Sequence, residues 1–239
     1  MIVFLLIVLG VYLNRSYAHI YGKIDAVNLK SSNTKQMYNL GSETREKLVY
    51  VALGDSLTSG VGVSSYEQSY PYQLAQYLTE IDTKNITLYP QAIPGAKTHD
   101  VIGSLLDSTI KIQPNIITIL IGVNDVHGNI SKEEFENNYK TILKRLTEET
   151  NAKIYTITIP YIGAKNLILP PHDYYFDAQT QEFNQVIQKL SQQYRVENID
   201  LYTPDLKMKG TDYYSSDLFH PSFVVYKEWG KIIYDAINQ

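Results

Sequence analysis

Apolar positions fall into two patterns along this chain. At the N-terminus, Ile2 to Leu13 reads IVFLLIVLGVYL, a run with no charge. Further on, short apolar runs of strand length alternate with stretches of helical period. Leu48–Leu53 (LVYVAL), Asn85–Tyr89 (NITLY), Asn115–Ile121 (NIITILI), Lys153–Ile159 (KIYTITI) and Val196–Leu201 (VENIDL) predict strands, the third the most apolar and the fifth the weakest. Helix start signals lie between them. Pro71 sits in the first turn of a helix to about Glu80, and Thr98 opens one to about Ile110. Ser131 with Glu134 makes a capping-box pattern ahead of a helix ending near Thr150. A fourth helix runs from about Asp177 to Tyr194. The last starts at Pro221 and carries Val224, Val225, Trp229, Ile232 and Ile233 on its expected buried face. Strictly alternating elements with strands apolar on both faces predict an open, doubly wound α/β domain with about five parallel strands. Ligand sites in such sheets form beyond the carboxyl ends of the strands.

The N-terminal run stands apart from that domain. As a helix it would span about 18 Å, against roughly 30 Å of hydrocarbon, which is nearer the core of an export signal than a full span. Ser16-Tyr17-Ala18 supplies small residues where a signal peptidase reads them. No Lys or Arg precedes the run, so an uncleaved anchor extended through Tyr17 to Tyr21, or a buried core helix, stands as an alternative. The expected organisation is a signal peptide or membrane anchor over residues 1–21, a polar linker over 22–46 and the globular domain over 47–239. The signal and anchor readings both place that domain outside the cytoplasm, secreted or held at a membrane.

Composition narrows the chemistry. The chain has no cysteine, which excludes disulfides, thiolate zinc sites and a cysteine nucleophile. A net charge of −4 gives no footprint for nucleic acid. With 44% apolar residues the chain has enough material for a packed core. Most of the 21 tyrosines read as packing rather than ligand contacts.

Candidate chemistry collects where the strands end. The first strand runs into Gly54-Asp55-Ser56-Leu57-Thr58-Ser59-Gly60, which sets a serine hydroxyl and its own N–H at the carboxyl edge of the sheet. Thr58 stands where the G-x-S-x-G nucleophile elbow needs glycine, so this is not that motif. Phosphate binding by this hydroxyl-rich loop is disfavoured by the charge of Asp55 and by the absence of G-x-G-x-x-G and G-x-x-x-x-G-K-[ST]. The second strand leads to Gly95, whose backbone N–H can face a ligand; an ordinary turn glycine is the plainer reading. The third ends in Gly122-Val123-Asn124-Asp125, where the Asn124 amide can serve an oxyanion or merely close a turn. Near the C-terminus, Asp217-Leu218-Phe219-His220-Pro221 spaces a carboxylate to fold back onto an imidazole, and a capping Asp beside a surface His is the bland alternative. His19, His99, His127 and His172 lack such a partner and read as structural or exposed.

Together and in this order, G-D-S-L at Gly54–Leu57, the glycine at 95, G-x-N-D at Gly122–Asp125 and D-x-x-H at Asp217–His220 resemble the SGNH/GDSL hydrolase family. The resemblance runs from about Lys47 to the end of the chain. Tyr50–Gly62 (YVALGDSLTSGVG), behind a short apolar N-terminus, looks most like membrane-tethered or secreted bacterial members. One departure is Pro90, where members often carry asparagine five residues before the glycine.

The resemblance implies a three-layer α/β/α, flavodoxin-like domain and a lipase- or esterase-like serine hydrolase. Ser56 is then the nucleophile, His220 the general base and Asp217 the residue that orients it. The N–H groups of Ser56 and Gly95 and the side chain of Asn124 form the oxyanion hole. No metal or organic cofactor is implied. The substrate is a small-molecule, lipid or glycan ester; a membrane contact through the N-terminus is expected, and no oligomeric state is indicated. Acyl transfer to, or deacetylation of, a glycan would use the same site. The reading outside enzymology is a surface glycan- or lipid-binding module with a dead site, against which the intact Ser56, Asp217, His220 and Asn124 set speaks. The long stretch Pro160 to Phe176, with Tyr161, Ile162, Leu167, Ile168, Leu169, Pro170 and Pro171, is expected to line an apolar groove or lid, or else to pack as a plain loop.

Overall fold

A computed structural model describes residues 4–15, 34–161, 163–164, 167–208 and 210–239. Strand β1 (Tyr38–Leu40) is followed by β2 (Lys47–Gly54), β3 (Asn85–Ala92), β4 (Ile116–Leu120), β5 (Lys153–Ile157) and β6 (Glu197–Ile199). They form one sheet in the order β1-β3-β2-β4-β5-β6. The strands β2 to β6 run parallel to one another. The predicted parallel α/β sheet is thus present, with β2 and β4 at its centre, and every residue of β4 is buried. That is what an unbroken Ile-rich run requires when helices cover both faces.

Helices α1 (Tyr70–Glu80) and α7 (Phe223–Ile237) pack on each other. The second packed set holds α2, which runs through Thr98–Asp100, a π-helical turn at Val101–Leu105 and Leu106–Ile112, together with α4 (Lys132–Glu149) and α5 (His172–Tyr194). Right-handed crossovers put these two sets on opposite faces of the sheet. The Ser131 hydroxyl accepts the Glu134 N–H at 3.1 Å, the cap the sequence pattern called for. Helix α5 begins earlier than Asp177, directly after Pro171. Helix α7 begins after Pro221 and turns Val225, Trp229 and Ile233 inward, while Val224 faces solvent and Ile232 is half-buried, a correction to the expected face. Two short helices, α3 (Val123–His127) and α6 (Tyr202–Asp205), had no signal in the pattern.

The expected polar linker is corrected at its C-terminal end. Tyr38–Leu40 pairs antiparallel with Ile86–Leu88 of β3, and Tyr38 and Leu40 are buried. The Tyr38 ring stacks on Tyr66 at 4.9 Å and meets Tyr72 edge-on at 5.5 Å. An alternation this short carries no readable period, and its ordering comes from partners distant in sequence. This ladder ends at Leu88, so Pro90 occupies an open edge where its missing N–H costs the sheet little. Residues 4–15 are helical with their apolar side chains exposed except for the half-buried Leu13. Among the described residues no helix is long and apolar enough to cross a membrane. Ser16-Tyr17-Ala18, His19 and residues 22–33 of the expected linker lie outside the described residues.

Candidate active site

The turn after β2 is shaped by close packing. A Cβ at Gly54 would collide with Thr58 Oγ1 and the Leu120 carbonyl, so only glycine lets β2 come this close to β4 here. The Thr58 hydroxyl is occupied by that of Tyr70 at 3.0 Å. Asp55 accepts the Leu57 N–H through Oδ1 at 2.9 Å, and its carbonyl accepts the Ser59 N–H at 2.9 Å. These bonds close a tight turn with Ser56 at the carboxyl edge of the sheet, where the topology predicted it.

The other half of the site arrives from the far end of the chain. His220 Nε2 lies 3.0 Å from Ser56 Oγ, and His220 Nδ1 lies 2.6 Å from Asp217 Oδ2. Ser56, Asp217 and His220 are all buried. Asp217 Oδ1 accepts three further bonds, from the Ser215 hydroxyl at 2.6 Å and from the N–H groups of Phe219 and His220 at 2.9 Å each. Burial alone would raise the Asp217 carboxyl; the His220 contact, with the Ser215 and Phe219 donors, outweighs it and holds the group down at about 2. The loop bends through Leu218 at φ 59°, and the Leu218 carbonyl accepts the Ala164 N–H at 2.7 Å. That bond ties the segment after β5 to the loop carrying Asp217 and His220.

Gly95 and Asn124 stand at the ends of β3 and β4. Gly95 has φ 82°, left-handed backbone that favours glycine, and no heavy atom lies within 4 Å of where its Cβ would be. Among the described residues, neither the Gly95 nor the Ser56 N–H has an acceptor. Asn124 Nδ2 gives one hydrogen to the Ala96 carbonyl at 3.0 Å and keeps a second. The arrangement leaves donors without acceptors after three neighbouring strands, β2, β3 and β4, and a serine hydroxyl that touches an imidazole.

A small cleft of about 10 Å³, room for about one water molecule, adjoins this group, lined in part by Leu57, Val123, Pro160, Tyr161, Phe219 and Pro221. Four of these are the chain neighbours of Ser56, Asn124 and His220. In the segment Pro160 to Phe176, the side chains of Leu167, Ile168 and Phe176 pack inward; Ile162 lies outside the described residues. His127 packs against Phe176 and Phe219 at ring separations of 4.8 and 5.2 Å, and burial, aided by the nearby His220, pulls it down to about 4. His99 lies beside Asp100 on the surface.

Of the five residues expected at the site, Ser56, His220 and Asp217 lie in contact, and Gly95 and Asn124 stand after β3 and β4, tied through the Ala96 carbonyl. Their supports, Ser215, the Ala164 N–H, and Thr98 with Asn138, carried no motif, since a hydroxyl or amide near a turn is too common a signal. Asp55 also has a property its motif did not suggest. It is completely buried, its Oδ2 has no partner among the described residues, and burial pushes it up to about 7. The folded form therefore holds its proton above the ordinary carboxylate value, and this group's contribution is full in acid and fades as pH rises towards 7. Asp125, raised to about 6, acts in the same sense, and His127 in the opposite one. Asp55→Asn is expected to gain stability relative to the parent as pH rises from about 5 to about 8, read by urea unfolding. A stability difference independent of pH would contradict it.

The sequence model of the GDSL-like Lipase/Acylhydrolase family matches residues 52–227. The spore germination lipase LipC of Bacillus licheniformis is 26% identical over 192 residues, covering 73% of this chain and 89% of that protein. The structure of a lipase/acylhydrolase from Enterococcus faecalis superposes with a TM-score of 0.66 at 23% identity, covering 80% of this chain and 95% of that one. The psychrotrophic esterase EstA from a Pseudoalteromonas species gives 0.64 at 19%, covering 80% and 96%.

Proposed function

The chain belongs to the GDSL-like lipase/acylhydrolase family and is a carboxylic ester hydrolase, and on that premise we propose that it works through an acyl-enzyme formed on Ser56, with His220 as general base and Asp217 as its orienting partner. The observation that carries this reading is the continuous contact from Ser56 Oγ to His220 Nε2 and from His220 Nδ1 to Asp217. Ser56 Oγ attacks the ester carbonyl as its proton passes to His220 Nε2. The carbonyl oxygen becomes an oxyanion, held by the Ser56 N–H, the Gly95 N–H and the free hydrogen of Asn124 Nδ2. Collapse expels the alcohol, which takes the proton from His220. Water then attacks the acyl-enzyme with His220 again as base, releasing the acid and restoring Ser56.

The exposed apolar helix over residues 4–15 supports delivery of the domain to the outside of the cytoplasm, secreted or held at a lipid surface. A panel of p-nitrophenyl esters of graded acyl length, run beside fluorophosphonate labelling, tests the reading. Turnover with labelling is expected; a folded protein showing neither overturns it. Asn124→Ala is expected to lower kcat by about 10²–10³-fold with little change in KM, and a loss below about threefold would remove Asn124 from the oxyanion hole.

A further inference from the structure

Two consecutive residues of α3 grip the turn that carries Gly95. Asn124 Nδ2 donates to the Ala96 carbonyl at 3.0 Å. Asp125 accepts the Thr98 N–H at 3.0 Å (Oδ2) and 3.2 Å (Oδ1), and the Thr98 hydroxyl at 2.6 Å. Thr98 Oγ1 in turn accepts from Asn138 Nδ2 of α4 at 3.1 Å. Within the turn, the Ala96 N–H goes to the Ile93 carbonyl at 3.0 Å and the Lys97 N–H to Asp100 Oδ2 at 2.9 Å. The N–H groups of residues 96, 97 and 98 are thus all engaged, and Gly95 alone of the four has no acceptor among the described residues.

Asp125 and Thr98 are both fully buried. A buried carboxylate is costly, and burial pushes this one up to about 6 even with Thr98 donating to it. Capping α2 does not call for such an arrangement, because an exposed Ser or Asp beside Thr98 would satisfy the same N–H from its own strand of chain. Here the cap comes instead from α3, which also holds Asn124.

We propose that the Asp125–Thr98 contact is a clamp that fixes the spacing between the Gly95 N–H and the Asn124 amide. Both residues are then positioning residues for the oxyanion hole, acting through the backbone of residues 95–98 on one side and of 124–125 on the other. The proposal rests on the reading of Gly95 and Asn124 as oxyanion donors. A hole assembled from two separate loops gains from such a tie, because a misplacement of about 1 Å can cost about 10²-fold in rate.

The test is a double-mutant cycle on p-nitrophenyl acetate with the full chain. Thr98→Val keeps the shape and the N–H but removes the hydroxyl. It is expected to lower kcat by about 10-fold or more with KM changed by less than about twofold, and Thr98→Ser to restore most of the loss. In an Asn124→Ala background the same Thr98→Val change is expected to cost about threefold or less, because the donor it positions is already gone. Equal costs in both backgrounds, or a loss confined to KM, overturn the clamp. A loss below about threefold for Asn124→Ala alone overturns the donor role itself, so the two failures are told apart. Should Thr98→Val fail to fold, Asn138→Ala, which loosens Thr98 from the half-buried side, carries the same cycle with the same two outcomes.

Discussion

Ser56→Ala is expected to leave a folded protein whose kcat/KM on any ester it turns over falls by at least about 10⁴-fold. The substitution deletes one oxygen and keeps the Cβ, so the turn held by Asp55 and Ser59 loses no packing. What disappears is the one hydroxyl 3.0 Å from His220 Nε2. Ser59 cannot take over, since its Oγ is turned back to donate to the Ser56 carbonyl at 3.2 Å. Residual rate would come from water attacking with the oxyanion donors still in place. The measurement pairs steady-state kinetics with fluorophosphonate labelling and a melting curve. A variant that melts like the parent and still takes the label would move the nucleophile elsewhere.

Asp217→Asn is expected to cost about 10⁴-fold in kcat, and the surroundings of this carboxylate say why no rearrangement rescues it. One oxygen faces three donors, from Ser215, Phe219 and His220, and the other faces His220 Nδ1. An asparagine has one oxygen and one NH₂. Turning the NH₂ towards the three donors would oppose donor to donor in a buried site, at a cost of about 1–3 kcal/mol for each unsatisfied group. The NH₂ therefore faces Nδ1, which must accept, and the ring proton moves to Nε2, the atom that has to receive the serine proton. KM should hardly change, because Asp217 does not reach the cleft. A kcat within about tenfold of the parent would show that His220 is oriented by something else.

How far the sequence could be read depended on whether the signal was local. β4 and β5 were visible because a run of β-branched residues covered on both sides has one sensible structure. The site motifs were visible because each must fall at a strand end or helix entrance, and GDSL, G-x-N-D and D-x-x-H all did. Tyr38–Leu40 was invisible, since three residues have no period and what orders them is Tyr66, Tyr72 and the edge of β3. The burial of Asp55 was hidden for a similar reason: its desolvation is made by the packing of the whole domain around the first turn. Val224 was assigned inward from helical period alone, and the rotation of α7 against α1 was decided by Tyr226, Trp229 and Tyr234, whose aromatic bulk claimed the inner face.

The short antiparallel strand also bears on where the chain tolerates a proteolytic cut. A protease that cuts ahead of residue 34 would release an intact sheet. One that cuts between Leu40 and Lys47 would strip β3 of its neighbour, uncover the rings of Tyr66 and Tyr72, and leave a row of bare amide and carbonyl groups ready to recruit a second molecule. Trimming at the first long strand would therefore favour self-association over free enzyme.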